Sequence, residues 1–378
     1  MAARSRYADA RVYTYSFRSS NTRSECPGSG STILPTCCLF LLSGKKSVAS
    51  RPPASYLHYR QTVVLIVKNT EENATHMTRE PPAELARKIA SLLGKEENWT
   101  TVIPGVSLHQ RTSPTPPCRM TYYPGIIVVA QGSKRVNLGP TSFVYDESHF
   151  LVTAVDLPIV SWVAEATGEA PCLALSLKLD MSMVRELLSR EELHVAESPS
   201  DSPAMSLGEA TPEFLNACCR LLDLLQSPHD IPFLSGLIQR EIIYRVLRGP
   251  EGARLRAVAT LGDQSHRTAK AIAWITANYA KPLRVEELAQ LASMGVSTLH
   301  HHFKMLTSMS PLQYQKQLRL QSARTLMLNN GLDAASAAFE VGYESATQFN
   351  REYSRFFGQP PMRDVKALTQ CKVEVSAA

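Results

Sequence analysis

Apolar and polar positions change rhythm twice along this 378-residue chain. Leu85, Ile89, Leu92 and Leu93 recur at helical spacing. From Asn98 to about Leu179 the apolar residues come instead in short β-rich runs, at 101–103, 126–130, 135–138, 142–145, 150–155, 159–163 and 172–177. Gly132, Gly139-Pro140, Asp146, Pro158, Gly168 and Pro171 punctuate them. Many short strands separated by turn residues predict a barrel or a sandwich. Helical spacing returns at Val184, Leu187 and Leu188, then in one stripe from Phe214 to Leu225 and another from Leu237 to Leu247. These two stripes either pack on the strands and on each other or form a dimer seam. The Ser/Pro-rich stretch 197–208 reads as a loop. Residues 249–264, rich in Gly, Ala and Arg, read as a hinge.

The last hundred residues repeat one layout. Residues 282–292 and 332–340 are short Ala-containing helical runs, each followed by a turn holding Gly295 or Gly342. A second helix then follows, with Ser297 or Ser345 at its start. A short helix, a tight turn and a second helix make a helix-turn-helix. The bend predicts a left-handed residue at each glycine, and the serines are placed to cap the second helices. Leu299, Phe303 and Leu306 share one face of the first such helix; Phe349, Tyr353 and Phe356 share one face of the second. Those faces must pack inward. The opposite faces offer Ser297, Thr298, His300, His301 and Lys304 in the first copy, and Thr347, Gln348, Asn350, Arg351 and Arg355 in the second. Side chains of these kinds read base edges and phosphates. Ser310-Pro311 opens the helix between the copies, with Pro at its first position, and that helix carries Lys316, Arg319 and Arg324.

Charge sharpens this division. The formal net charge is +6. Residues 1–76 hold 10 basic against 4 acidic side chains, residues 77–261 hold 17 against 21, and residues 262–378 hold 13 against 9. The region with the repeat is therefore basic and the strand region mildly acidic, which permits a nucleic-acid partner without requiring one. The apolar run 37–42 falls far short of the ~20 residues that span a bilayer, so no membrane partner is expected and a cytoplasmic location is. Residues 1–76 are basic, Ser-rich and irregular, and ordinary helical periodicity begins with Met77. We expect Met77 to be the start and 1–76 a disordered or untranslated extension. The 8 cysteines include no Cys-x-x-Cys, which argues against a zinc site and for scattered reduced thiols.

The main alternative is a metalloenzyme built on a cupin barrel and fused to a helical interaction module. Such a site needs several converging histidines and a carboxylate. Between Asn98 and Met181 there are only His109 and His149, and no His-x-His. His300, His301 and His302 are consecutive, about 100° apart around a helix, so they cannot close on one ion. No catalytic residue, metal or cofactor is expected.

The C-terminal repeat resembles a family. Pro311-Leu312-Gln313-Tyr314, Arg319-Leu320, Ala323-Arg324, Gly342-Tyr343, Phe349 and Phe356-Phe357-Gly358-Gln359-Pro360-Pro361 are similar to the DNA-binding domain of AraC/XylS-type transcriptional regulators over roughly Ser265 to Asp364. Tyr123-Pro124, residues 129–134, Leu138-Gly139 and Leu157-Pro158 resemble the cupin-like N-terminal domain of one branch of that family. The resemblance implies two recognition helices entering successive major-groove segments on one DNA face. It also implies an N-terminal β-barrel for effector sensing or dimerisation, and activation of transcription. At the position often held by Arg in the first recognition helix it puts His301.

The expected architecture is multidomain α+β: an extension at 1–76, a helix at 77–98, a cupin-like β-barrel at 99–183, a helical connector at 184–248, a linker at 249–264, an all-α double helix-turn-helix at 265–364 and a tail at 365–378. Base contacts are expected from Ser297, His300, His301, Thr347, Asn350 and Arg351, and DNA-backbone contacts from Lys304, Lys316, Arg319 and Arg355. The expected partners are double-stranded DNA and RNA polymerase. A small-molecule effector and a second copy of the chain are left open.

Overall fold

A computed structural model describes residues 80–189 and 202–377, with side chains through 369. The expectations for 1–76, for Met77 as a start and for part of the 197–208 loop lie outside the described residues.

Helix α1 (Pro81–Leu93) buries Leu85, Ala86, Ile89 and Leu93, the stripe its periodicity predicts. Ten strands follow: β1 (Asn98–Thr100), β2 (Val106–Arg111), β3 (Cys118–Tyr122), β4 (Gly125–Gln131), β5 (Ser133–Leu138), β6 (Thr141–Tyr145), β7 (His149–Thr153), β8 (Leu157–Glu165), β9 (Cys172–Lys178) and, after helix α2 (Met181–Leu188), β10 (Met205–Glu209). They form a six-stranded sheet in the order β1-β2-β9-β4-β7-β10 and a four-stranded sheet in the order β3-β8-β5-β6. Every pairing is antiparallel.

The two sheets do not close into a barrel. Among the described residues no ladder joins one to the other, so the sandwich alternative describes the fold and the cupin-like barrel expectation is corrected. The chain crosses between sheets at Gly132, where β4 runs into β5. Gly132 has φ 78°, and a Cβ there would lie 2.6 Å from the Glu165 carbonyl oxygen, so only glycine turns this corner. The edge strands β1, β3 and β6 are short, with part-exposed side chains. Such edges do not extend a ladder.

Two further expectations change. Residues 205–208, read as loop, pair with β7, from Met205 opposite Thr153 to Gly208 opposite Phe150. Residues 253–259, read as hinge, form helix α5 (Ala253–Ala259), in which all seven residues are buried. Its two arginines find hydrogen-bond acceptors there. Arg254 donates to Ser265 Oγ at 3.0 Å and to the Ser202 carbonyl at 2.5 Å. Arg256 donates to the carbonyls of Leu247 and Gly249. Burial of a charge costs less when its donors find acceptors. Helices α3 (Pro212–Asp223) and α4 (Ile231–Arg248) pack on each other, and α3 packs on α1, as the first reading of their stripes expects.

The C-terminal part is all helical: α6 (Gln264–Ala277), α7 (Val285–Leu291), α8 (Val296–Thr307), α9 (Pro311–Asn329), α10 (Ala334–Glu340), α11 (Ala346–Phe357) and α12 (Pro361–Ala377). One buried cluster runs from Leu85 through both sheets to Leu318 of α9; a second, from Leu320 to Tyr353, is built on α9, α10, α11 and the turn between the last two.

Candidate nucleic-acid interface

The two helix pairs, α7–α8 and α10–α11, are joined by turns with the same hydrogen bonds. In the first, Ser293 N–H donates to Gln290 O at 2.9 Å and Met294 N–H to Ala289 O at 2.9 Å. In the second, Gly342 N–H donates to Phe339 O at 3.0 Å and Tyr343 N–H to Ala338 O at 2.9 Å. This paired pattern closes a helix with one left-handed residue and an apolar residue after it. The left-handed residues are Ser293 (φ 52°) and Gly342 (φ 89°).

The expectation for Gly342 therefore holds, and that for Gly295 is corrected. Gly295 has φ −69° and stands at the N-cap of α8. Ser297 is then the second helical residue and caps nothing, while Ser345 caps α11 through the Gln348 N–H. The second turn holds one residue more, which is what moves the serine. The connecting helix begins as its sequence predicts: Ser310 and Gln313 form a reciprocal capping box with Pro311 at the first position. Asp333 caps α10 through the N–H groups of Ala335 and Ser336 at 2.8 and 2.9 Å. The Ser336 backbone N–H leads the hydrogen bonds that hold its carboxyl below the usual range.

Leu299, Phe303 and Leu306 of α8 are fully buried, as are Phe349 and Tyr353 of α11. Phe356 is half-buried, with the Arg119 guanidinium of β3 4.3 Å from its ring centre. The faces opposite these seams are open. Ser297, His300, His301, Thr347, Asn350 and Arg351 are all exposed, as are Lys304, Lys316 and Arg355. Lys304 and Arg355 lie in the last turns of α8 and α11.

Arg319 is placed otherwise than the sequence suggests. Its Nε donates to Tyr279 O at 2.7 Å, one terminal nitrogen to Gly342 O at 2.9 Å, and the other to Ala280 O at 3.2 Å and Lys281 O at 2.9 Å. Burial draws it below the usual arginine range, opposed by Tyr343, Glu344 and Glu352. A fork with its donors committed to four carbonyls ties the start of the first unit to the turn of the second. That geometry replaces the expectation of a phosphate contact. Arg324 is likewise internal: it pairs with the buried Asp364 at 2.8 Å, and Asp364 also accepts from Tyr353 at 2.7 Å.

The sheet region meets this helical region directly. Tyr314 Oη donates to Asp156 O at 2.8 Å, Ala204 N–H to Leu306 O at 3.0 Å, and Thr121 Oγ1 to Gln321 Oε1 at 2.6 Å. Sequence reasoning missed these contacts because no local pattern encodes them.

Two family descriptions match the chain in the same order as these regions. "AraC-type transcriptional regulator N-terminus" covers residues 102–254, and "Helix-turn-helix domain" covers 288–366. The chain belongs to the AraC-type transcriptional regulators. It is 27% identical over 144 residues to the HTH-type transcriptional regulator ArgR of Pseudomonas aeruginosa, covering 38% of this chain and 44% of that protein. It is 30% identical over 131 residues to the HTH-type transcriptional activator RhaS of Escherichia fergusonii, covering 34% and 46%. The chain thus matches about half the length of these curated relatives. Among solved structures, ToxT of Vibrio cholerae O395 is similar with a TM-score of 0.46 and 9% identity, covering 72% of this chain and 99% of that one. In this AraC-type chain the exposed polar faces of α8 and α11 are the candidate reading surface. No helix among the described residues is long and apolar enough to cross a membrane, and none of their His, Cys, Asp and Glu side chains group to hold a metal ion.

Proposed function

We propose that the chain is a sequence-specific regulator of transcription that binds double-stranded DNA through α8 and α11. The observation that carries this reading is the two-sidedness of both helices: a buried apolar seam on one side, and on the other Ser297, His300 and His301, or Thr347, Asn350 and Arg351, all exposed. Those six side chains contact base edges, while Lys304, Lys316 and Arg355 contact phosphates and set the register. Arg319 acts one step back, holding the two units at a fixed angle.

The sheet domain regulates that binding as an effector-sensing domain. Strand β3 supports this role: Arg119 and Thr121 reach α11 and α9, while Cys118, Met120 and Tyr122 line a cavity between the sheets. RNA polymerase is the protein partner, a second copy of the chain assembles through the helical connector, and the protein acts in the cytoplasm as an activator and not as an enzyme. Selection of bound fragments from genomic DNA, followed by titration of the salt dependence, tests the central reading. Retention of a shared sequence motif, with affinity falling steeply as salt rises, is the expected outcome. Failure to retain any duplex at low ionic strength contradicts it.

A further inference from the structure

Between the sheets, where β2 and β9 face β3, β5 and β8, lies a cavity of about 400 Å³. Strand register sorts what faces it. In the β2–β9 ladder, Val106 and Leu108 oppose Leu177 and Leu175 on the side turned away from the cavity. On the cavity side His109 and Arg111 oppose Ala174 and Cys172. The inner faces of a sandwich ordinarily interdigitate apolar side chains; here that side is small and polar.

Strand β5 adds Lys134. Val136 and Leu138, two and four positions later on the same face, are fully buried, so alternation turns the Lys134 stem inward as well. No Asp or Glu lines the cavity. Arg111 is already engaged: it pairs with Glu97 at 3.5 Å and donates to Glu97 O at 3.0 Å and to Asn98 Oδ1 at 3.2 Å, which leaves Lys134 to face a ligand. Among the described residues the Lys134 ammonium has no hydrogen bond or ion pair. Burial, then Lys134 and Arg111, push the His109 imidazole down to about 4, and its Nδ1 lies 3.0 Å from Asn98 Oδ1. An inward ammonium without a counter-charge is costly to maintain inside a sandwich, and a bound anion removes that cost. Met120, Tyr122, Ile127 and Val163 supply an apolar wall beside the charges.

We infer that this cavity binds a small organic anion, its acidic group on Lys134, within the positive field of Arg111, and its apolar body against Met120, Tyr122 and Ile127. The inference rests on the reading of the sheet domain as the effector-sensing part and names the chemistry of the effector. Convergent cationic groups in a concave, largely pre-formed site select ligands by charge as well as by shape. The ligand lies against the inner face of β3, whose outer face holds α9 and α11.

Calorimetric titration of the full chain with naphthalene-1-sulfonate and with its uncharged sulfonamide tests the site. The sulfonate should bind at least about tenfold more tightly, a difference of about 1.4 kcal/mol. Lys134→Met should abolish that preference, while Arg135→Met, on the exposed neighbour, should keep it. Lys134→Gln serves the same comparison if Lys134→Met does not fold. Equal binding of the two probes, an unchanged preference in the Lys134 variant, or no binding of either probe at millimolar concentration overturns the inference. The titration contains no DNA. A probe that binds as expected but leaves DNA affinity unchanged counts against the sensing role and leaves the site standing.

Discussion

The two helix-turn-helix units share a layout but are held in place differently. The first is part of the main body: Leu299, Phe303, Leu306 and Leu318 belong to one buried cluster with the sheets, and Tyr314 and Leu306 are hydrogen-bonded to Asp156 and Ala204. The second has a core of its own, built on Tyr343, Phe349 and Tyr353. It joins the rest mainly through the Arg319 fork, the Arg119–Phe356 stack and the close approach of Gly342 to Ala280. Free energies of local opening follow the buried contacts a segment shares with its surroundings. The second unit is therefore the one whose position a change in the sheet domain can most readily alter.

The largest expected effect comes from Gly342→Ala. A Cβ there would lie 2.0 Å from the Ala280 carbonyl oxygen, at a φ that L side chains avoid. Strain of this kind costs on the order of 1–3 kcal/mol before the clash is counted, so a loss of about 3 kcal/mol or more is expected. Thermal unfolding and hydrogen exchange should place it in α10–α11. Equal loss of protection in the sheets would mean the second unit is not separable.

Arg319→Lys comes next. A lysine cannot span four carbonyls, and hydrogen bonds to a charged group contribute about 1.5–3 kcal/mol each. We expect a loss of about 2–4 kcal/mol, again confined to the second unit, together with weaker DNA binding at every sequence. Weaker binding with an unchanged unfolding profile would restore Arg319 as a direct phosphate contact.

Arg351→Ala should leave folding intact, because the side chain is exposed. It should lower DNA affinity by about 1–3 kcal/mol and relax preference at one base pair. Lys316→Ala should weaken binding uniformly and reduce the salt slope by about 1. A preference unchanged in the first case, or relaxed in the second, would exchange the two roles.

The smallest effect separates the two turns. Ser293 occupies the left-handed position that Gly342 fills in the second unit, and for an L residue that conformation costs about 1–2 kcal/mol. Ser293→Gly should relieve part of it, so a gain of up to about 1 kcal/mol is expected in chemical denaturation. A loss would show that the serine is held by something its equivalent lacks.

Much of this was legible in the chain itself, for reasons visible at particular residues. The buried seams of α8 and α11, the capping box at Ser310 and the left-handed Gly342 all follow from local spacing and turn chemistry. In the first turn glycine is the residue expected to mark the bend, yet Ser293 takes the left-handed position and Gly295 stands at the N-cap of the next helix. The Gly, Ala and Arg composition around helix α5 resembles a linker; tertiary acceptors for Arg254 and Arg256, invisible in the local sequence, allow it to be buried. Closure into a barrel, as opposed to stacking of two sheets, depends on pairings between distant edges that no stretch of sequence contains. The same holds for Arg319, whose four acceptors come from 23 to 40 residues away.

The most direct test of the central claim is a hydroxyl-radical footprint of the full chain on a selected DNA fragment. Two protected segments about one helical turn apart, roughly 10 base pairs, on the same face of the duplex are predicted, with Arg351→Ala weakening only one of them. A single protected segment, or two that both persist unchanged in that variant, would contradict it.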